Sequence, residues 1–103
     1  MAPQGEHVPP IPDTARFDRK PGVMETDLER ELVLLDPETR EMFSLNSTGR
    51  LVWRALTGQP VAALATRITE AFDVTRERAL EDVRRILAEL REAGLITPSS
   101  DAA

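Results

Sequence analysis

The chain has 103 residues, a formal net charge of -5, eight prolines and no cysteine, with a pI near 4.9. That length allows one domain. The missing cysteines exclude a disulfide framework, a thiol nucleophile and a thiolate metal site, and the acidic balance disfavours a phosphate backbone as partner. No apolar run approaches the ~18 residues of a membrane span, and Met1 is not followed by a basic-then-apolar signal, so a cytoplasmic protein with no membrane contact is expected.

In chain order, residues 1–20 hold four prolines among scattered apolar residues, including Val8-Pro9-Pro10-Ile11-Pro12. Extended polyproline conformers are expected there, so this segment is predicted to be a disordered tail. Residues 98–103 are short and polar and are assigned the same way. A folded unit of roughly 75 residues, 21–97, remains, near the lower limit for a core without staples.

After the Pro21-Gly22 turn, Val23-Met24-Glu25-Thr26 reads as a short strand that Leu28 ends. Glu31-Leu32-Val33-Leu34-Leu35 is too short for a helix and apolar on both faces, which suits a central strand covered on both sides. Asp36-Pro37-Glu38-Thr39 has turn chemistry. Residues 40–45 read as the returning strand, with Phe43 and Leu45 toward the core, Glu41 at its frayed end, and Met42 and Ser44 on the other face.

At Asn46-Ser47-Thr48-Gly49 the period changes. Asn46 or Ser47 can cap a helix carrying Leu51, Val52, Ala55 and Leu56, which Gly58 stops. Pro60 suits the first turn of a second helix with the stripe Val61, Leu64, Ala65, Ile68 and Phe72. Thr75 is the candidate cap of a third helix, with Val74 and Ala79 placed as a hydrophobic staple. Its stripe is Leu80, Val83, Leu87 and Leu90, flanked by Ala79 and Ile86. Gly94 closes it, and Leu95-Ile96 packs back as an extended end. Three antiparallel strands followed by three helices make an α+β domain.

Catalytic chemistry is scarce. The single histidine, His7, lies in the proline-rich segment, where nothing fixes its geometry. Carboxylates such as Glu77 and Glu81 are spaced to form solvated surface pairs with Arg84. No phosphate cradle or calcium loop is present, so no enzyme activity, cofactor or metal is expected.

Binding has more support. If residues 40–45 pair only with residues 32–35, their outer edge offers free amides and carbonyls to an extended peptide. Arg40 and Glu41 could equally be charges that block such an edge. Ile86 sits off the centre of its stripe beside Asp82 and Glu89, where it could line a groove or belong to the core. Trp53 and Phe43 could form an aromatic pocket, although both lie on apolar faces and fit core packing.

The run Phe43-Ser44-Leu45-Asn46-Ser47-Thr48-Gly49-Arg50-Leu51-Val52-Trp53, then Leu56-Thr57-Gly58, and Ala88-Glu89-Leu90-Arg91-Glu92-Ala93-Gly94-Leu95-Ile96 resembles the PqqD family over residues 22–96. The resemblance implies a winged-helix-like fold and binding of a precursor's leader peptide between the third strand and the third helix. By carry-over, Arg40, Glu41, Met42, Phe43, Ser44 and Leu45 pair with the leader backbone, and Arg78, Asp82, Arg85, Ile86 and Glu89 contact its side chains. The pattern is most similar to stand-alone recognition proteins of lasso-peptide pathways, which work beside a leader peptidase and a macrocyclase. The nearest alternative is a pyrroloquinoline quinone pathway member serving a radical SAM enzyme.

Two further readings remain. A winged-helix DNA binder would place the third helix in the major groove, but residues 75–94 carry five Arg against five Asp or Glu rather than a basic excess. A weak homodimer through the strand edge, rather than a monomer awaiting a peptide, would show as a concentration-dependent size.

Overall fold

The computed structural model describes residues 11–99. The order is β1 (Phe17–Arg19), β2 (Met24–Leu28), β3 (Glu31–Asp36), β4 (Glu41–Leu45), α1 (Ser47–Ala55), α2 (Val61–Ala71), α3 (Arg76–Glu92) and β5 (Ile96–Pro98). This is an α+β fold with two antiparallel sheets, one ordered β2-β3-β4 and one made of β1 and β5.

The central hairpins form because their turns accept left-handed residues. Glu29 (φ 53°) opens the β2–β3 turn and Arg40 (φ 65°) closes the β3–β4 turn. Each such non-glycine conformation costs roughly 1 kcal/mol, which the flanking ladder must offset. At the second turn Asp36 Oδ1 accepts the Glu38 amide at 2.9 Å, and the Arg40 amide reaches the Asp36 carbonyl at 2.6 Å. The register pairs Leu34 with Phe43 and Leu32 with Leu45. That places Leu32, Leu34 and Leu45 in the core.

The helix caps are those read from sequence. Asn46 Oδ1 accepts the Gly49 amide at 2.9 Å, and Thr75 Oγ1 accepts the Arg78 amide at 3.1 Å. Gly94 follows α3 with φ 77°, the left-handed conformation that ends a helix. Trp53, Leu64, Ile68, Leu87 and Leu90 are fully buried between the helices and the inner face of the larger sheet.

Three expectations need correction. First, the folded unit begins earlier than residue 21. β1 pairs with β5 from Phe17 opposite Pro98 to Arg19 opposite Ile96, and Phe17 is buried in the core. Arg84 donates from Nε to the Ile11 carbonyl at 2.8 Å and pairs with Asp13, so it anchors this segment rather than forming a pair on its own helix. Proline-rich composition describes only local preference; these contacts span about 70 positions of sequence. The parts of the expected tails at residues 1–10 and 100–103, His7 included, lie outside the described residues.

Second, the described residues form five strands rather than three; β1 and β5 are too short to show a period in sequence. Third, β3 is central but among the described residues only one of its faces is fully covered: its outer residues Val33 and Leu35 are half-buried.

Candidate peptide-binding edge

Among the described residues, β4 hydrogen-bonds to β3 on one side and to no strand on the other. Its free edge therefore presents unpaired backbone groups along residues 41–45. The side chains alternate as expected. Leu45 is buried, Phe43 is half-buried against the core, and Glu41, Met42 and Ser44 are exposed. Ser44 Oγ bonds to Glu31 across the hairpin at 3.4 Å. Arg40 sits in the turn, just before the strand.

The candidate residues of α3 fall into two sets. Asp82 is brought together with Arg78 at 3.4 Å and Arg85 at 3.3 Å, a small charged cluster on one flank. Ile86 is 4% exposed and belongs to the same hydrophobic cluster as Leu45, against which Phe43 packs. It thus lies in the common core rather than standing free on a groove wall. Glu89 is exposed and makes no ion pair among the described residues. Trp53 is buried, and its indole Nε1 donates to Glu25 at 2.9 Å.

One feature went unread in the sequence. Met24, Leu28 and Met42, each at least half exposed, all lie on the outer face of the larger sheet. The register sets Met24 beside Leu35 and Leu35 beside Met42, an apolar row that ends at the free edge. The signal was the double-faced apolar run of β3, which had suggested cover on both sides.

Behind the sheet, Asp36 is 3% exposed and accepts a 2.7 Å bond from Lys20 Nζ, which also reaches Glu38 at 2.9 Å. The Lys20 hydrogen bond holds the Asp36 carboxyl below the usual carboxylate range, against the opposing effect of burial. Bonds to Asp36 and Glu38 raise the Lys20 ammonium. Among the described residues no cluster of His, Cys, Asp or Glu could hold a metal, and no helix is long and apolar enough to cross a membrane.

The fold and this edge define an α+β domain whose larger sheet ends in the open strand β4. The chain belongs to the PqqD family: residues 31–96 match the family described as "Coenzyme PQQ synthesis protein D (PqqD)". Among solved structures it is similar to "Lasso peptide synthetase B1 complexed with the leader peptide", at 30% identity and a TM-score of 0.70, covering 82% of this chain and 100% of that one. It is also similar to "TbiB1 in Complex with the TbiA(beta) Leader Peptide", at 25% identity and a TM-score of 0.71, covering 82% and 99%. The PqqD truncation of Methylobacterium extorquens PqqCD, a stand-alone recognition element for ribosomally synthesised and modified peptides, shares the fold at 21% identity and a TM-score of 0.70, covering 84% and 94%. No curated protein sequence matches significantly.

Proposed function

We propose that this chain binds the leader of a ribosomally synthesised precursor peptide by β-strand addition to β4 and presents it to modifying enzymes. The pathway we assign is lasso-peptide biosynthesis, and the role is that of a binding partner rather than a catalyst. The observation that carries this reading is the unpaired edge of β4 in a member of a family whose structural neighbours were solved with leader peptides. The lasso peptide synthetase B1 neighbour favours the lasso pathway over pyrroloquinoline quinone synthesis, because the likeness to the PqqD truncation extends only to fold. The even balance of charge on α3 argues against major-groove binding.

Strand addition supplies affinity through backbone hydrogen bonds, and alternate side chains supply specificity. One set of leader side chains would turn toward Phe43 and the flank of α3 bearing Arg78, Asp82, Arg85 and Glu89. The other set would extend the row formed by Met24, Leu35 and Met42. Holding the precursor at its enzyme raises its effective concentration there.

Calorimetric titration with synthetic leaders of precursors encoded beside the gene tests this. Tight one-to-one binding is expected, retained by Met42→Ala and lost by Met42→Pro or Ser44→Pro, with circular dichroism and denaturation confirming that each variant folds. Absence of binding to every neighbouring leader, or affinity unchanged by proline in folded variants, would remove the assignment.

A further inference from the structure

α1 and α2 enclose a second concavity, of about 440 Å³, that contains no residue of β4 or α3. Its apolar surface comes from Leu51, Ala55 and Phe72, and its charged surface from Arg50, Arg54 and Arg67. Asp27 bonds to Arg50 at 3.0 Å and to Arg54 at 2.7 Å, which fixes both guanidiniums at the rim. Arg67 is exposed and has no carboxylate within ion-pair distance among the described residues. Three guanidiniums against one carboxylate make this a locally cationic cleft on a chain whose net charge is -5.

We propose that this cleft docks an acidic, amphipathic segment of the enzyme that processes the bound precursor. An apolar side chain of that segment sits against Leu51, Ala55 and Phe72, and flanking carboxylates face Arg54 and Arg67. The inference rests on the leader-binding reading for the identity of the partner. The complementarity rests on the cleft alone. Arginine suits such a rim because its planar donor fork matches a carboxylate and its stem covers apolar surface. The apolar floor favours a protein side chain over nucleic-acid phosphate, and the acidity of the whole chain acts in the same direction. Because the cleft lies on other elements than β4, a leader and an enzyme can be held at once.

The test uses the full chain, its synthetic leader and the purified leader peptidase encoded beside the gene. Arg67 is exposed and makes no side-chain hydrogen bond or ion pair among the described residues, so Arg67→Glu is expected to remain folded. It should weaken association with the peptidase by about tenfold or more, since like charges then meet, and leave leader affinity within about twofold of wild type. Wild-type association should also weaken as salt is raised. Peptidase association untouched by Arg67→Glu overturns the proposal. So does an equal loss of leader affinity, which would assign the cleft to the leader site, or displacement of the peptidase by a DNA duplex through Arg67. Failure of wild-type protein to bind leader, with Arg67-dependent peptidase binding intact, would defeat the leader reading and retain the docking cleft.

Discussion

Asp36 and Lys20 join β3 to the strand that precedes the hairpins, and their titration gives the bond a defined pH window. The folded carboxyl is depressed, so its contribution is present above the ordinary carboxylate pKa of about 4 and is lost as pH falls through the folded value. The folded ammonium is raised, so its contribution is complete below the ordinary lysine pKa of about 10.4 and is lost as pH rises through the folded value. Lys20→Met should therefore destabilise the protein most between those limits. Urea denaturation of both proteins across pH should show the difference shrinking at acid and at strongly alkaline pH. Gly49 is a second position where one atom decides. A Cβ there would lie 2.9 Å from Leu45 Cδ2 and 3.1 Å from Leu45 Cβ. Overpacking costs about 1–3 kcal/mol, and alanine regains at most about 1 kcal/mol of helix propensity. Gly49→Ala should thus lower stability, by up to about 2 kcal/mol. In a denaturation cycle the loss should shrink when Leu45 is already alanine, as expected for residues in contact.

At the scale of elements, whatever depends on local pattern was legible in the sequence. The caps at Asn46 and Thr75, the stop at Gly94 and the alternation along β4 all follow from residues within a few positions of one another. The free edge of β4 was legible as a conditional: the segment after it turns helical at Asn46, so the strand ends the sheet if it pairs only with the strand before it. What could not be read was long-range. β1 and β5 have three residues each and lie almost 80 positions apart, so neither carries a period and only the closed chain shows them paired. Whether Ile86 faces core or groove is likewise decided by what α3 packs on, and its burial with Leu45 places it in the core. The same limit hid the outer row of the sheet, since an apolar run is the same in sequence whether one face or both are covered. Leu35 and Met42 are neighbours across that row. Met42→Glu should therefore leave the fold intact while weakening any leader that places an apolar side chain beside it, a comparison that leader titration makes directly.

Across the whole molecule, the two ends of the described chain hold each other in place. Lys20 donates its amide to the Leu95 carbonyl at 2.8 Å, and Ser99 donates to Arg16 at 2.9 Å, closing the β1–β5 pair at both ends. Phe17 inserts between them into the core, and Arg84 ties the segment before β1 to α3. A chain of this size has about 5–15 kcal/mol of net stability, so one element with a buried aromatic is a large fraction of it. Phe17→Ala should cost about 3–5 kcal/mol. Deleting residues 1–19 should cost more, because Leu95 and Ile96, both buried, would lose their cover as well. Urea unfolding should then show a lower midpoint for both changes, with a smaller slope only for the deletion, which removes surface that unfolding would otherwise expose. A deletion as stable as the full chain would mean that the first strand is an appendage and that the helices and the three-stranded sheet suffice. Loss of stability would place β1 inside the folding unit, with the segment before it tied to α3 through Arg84.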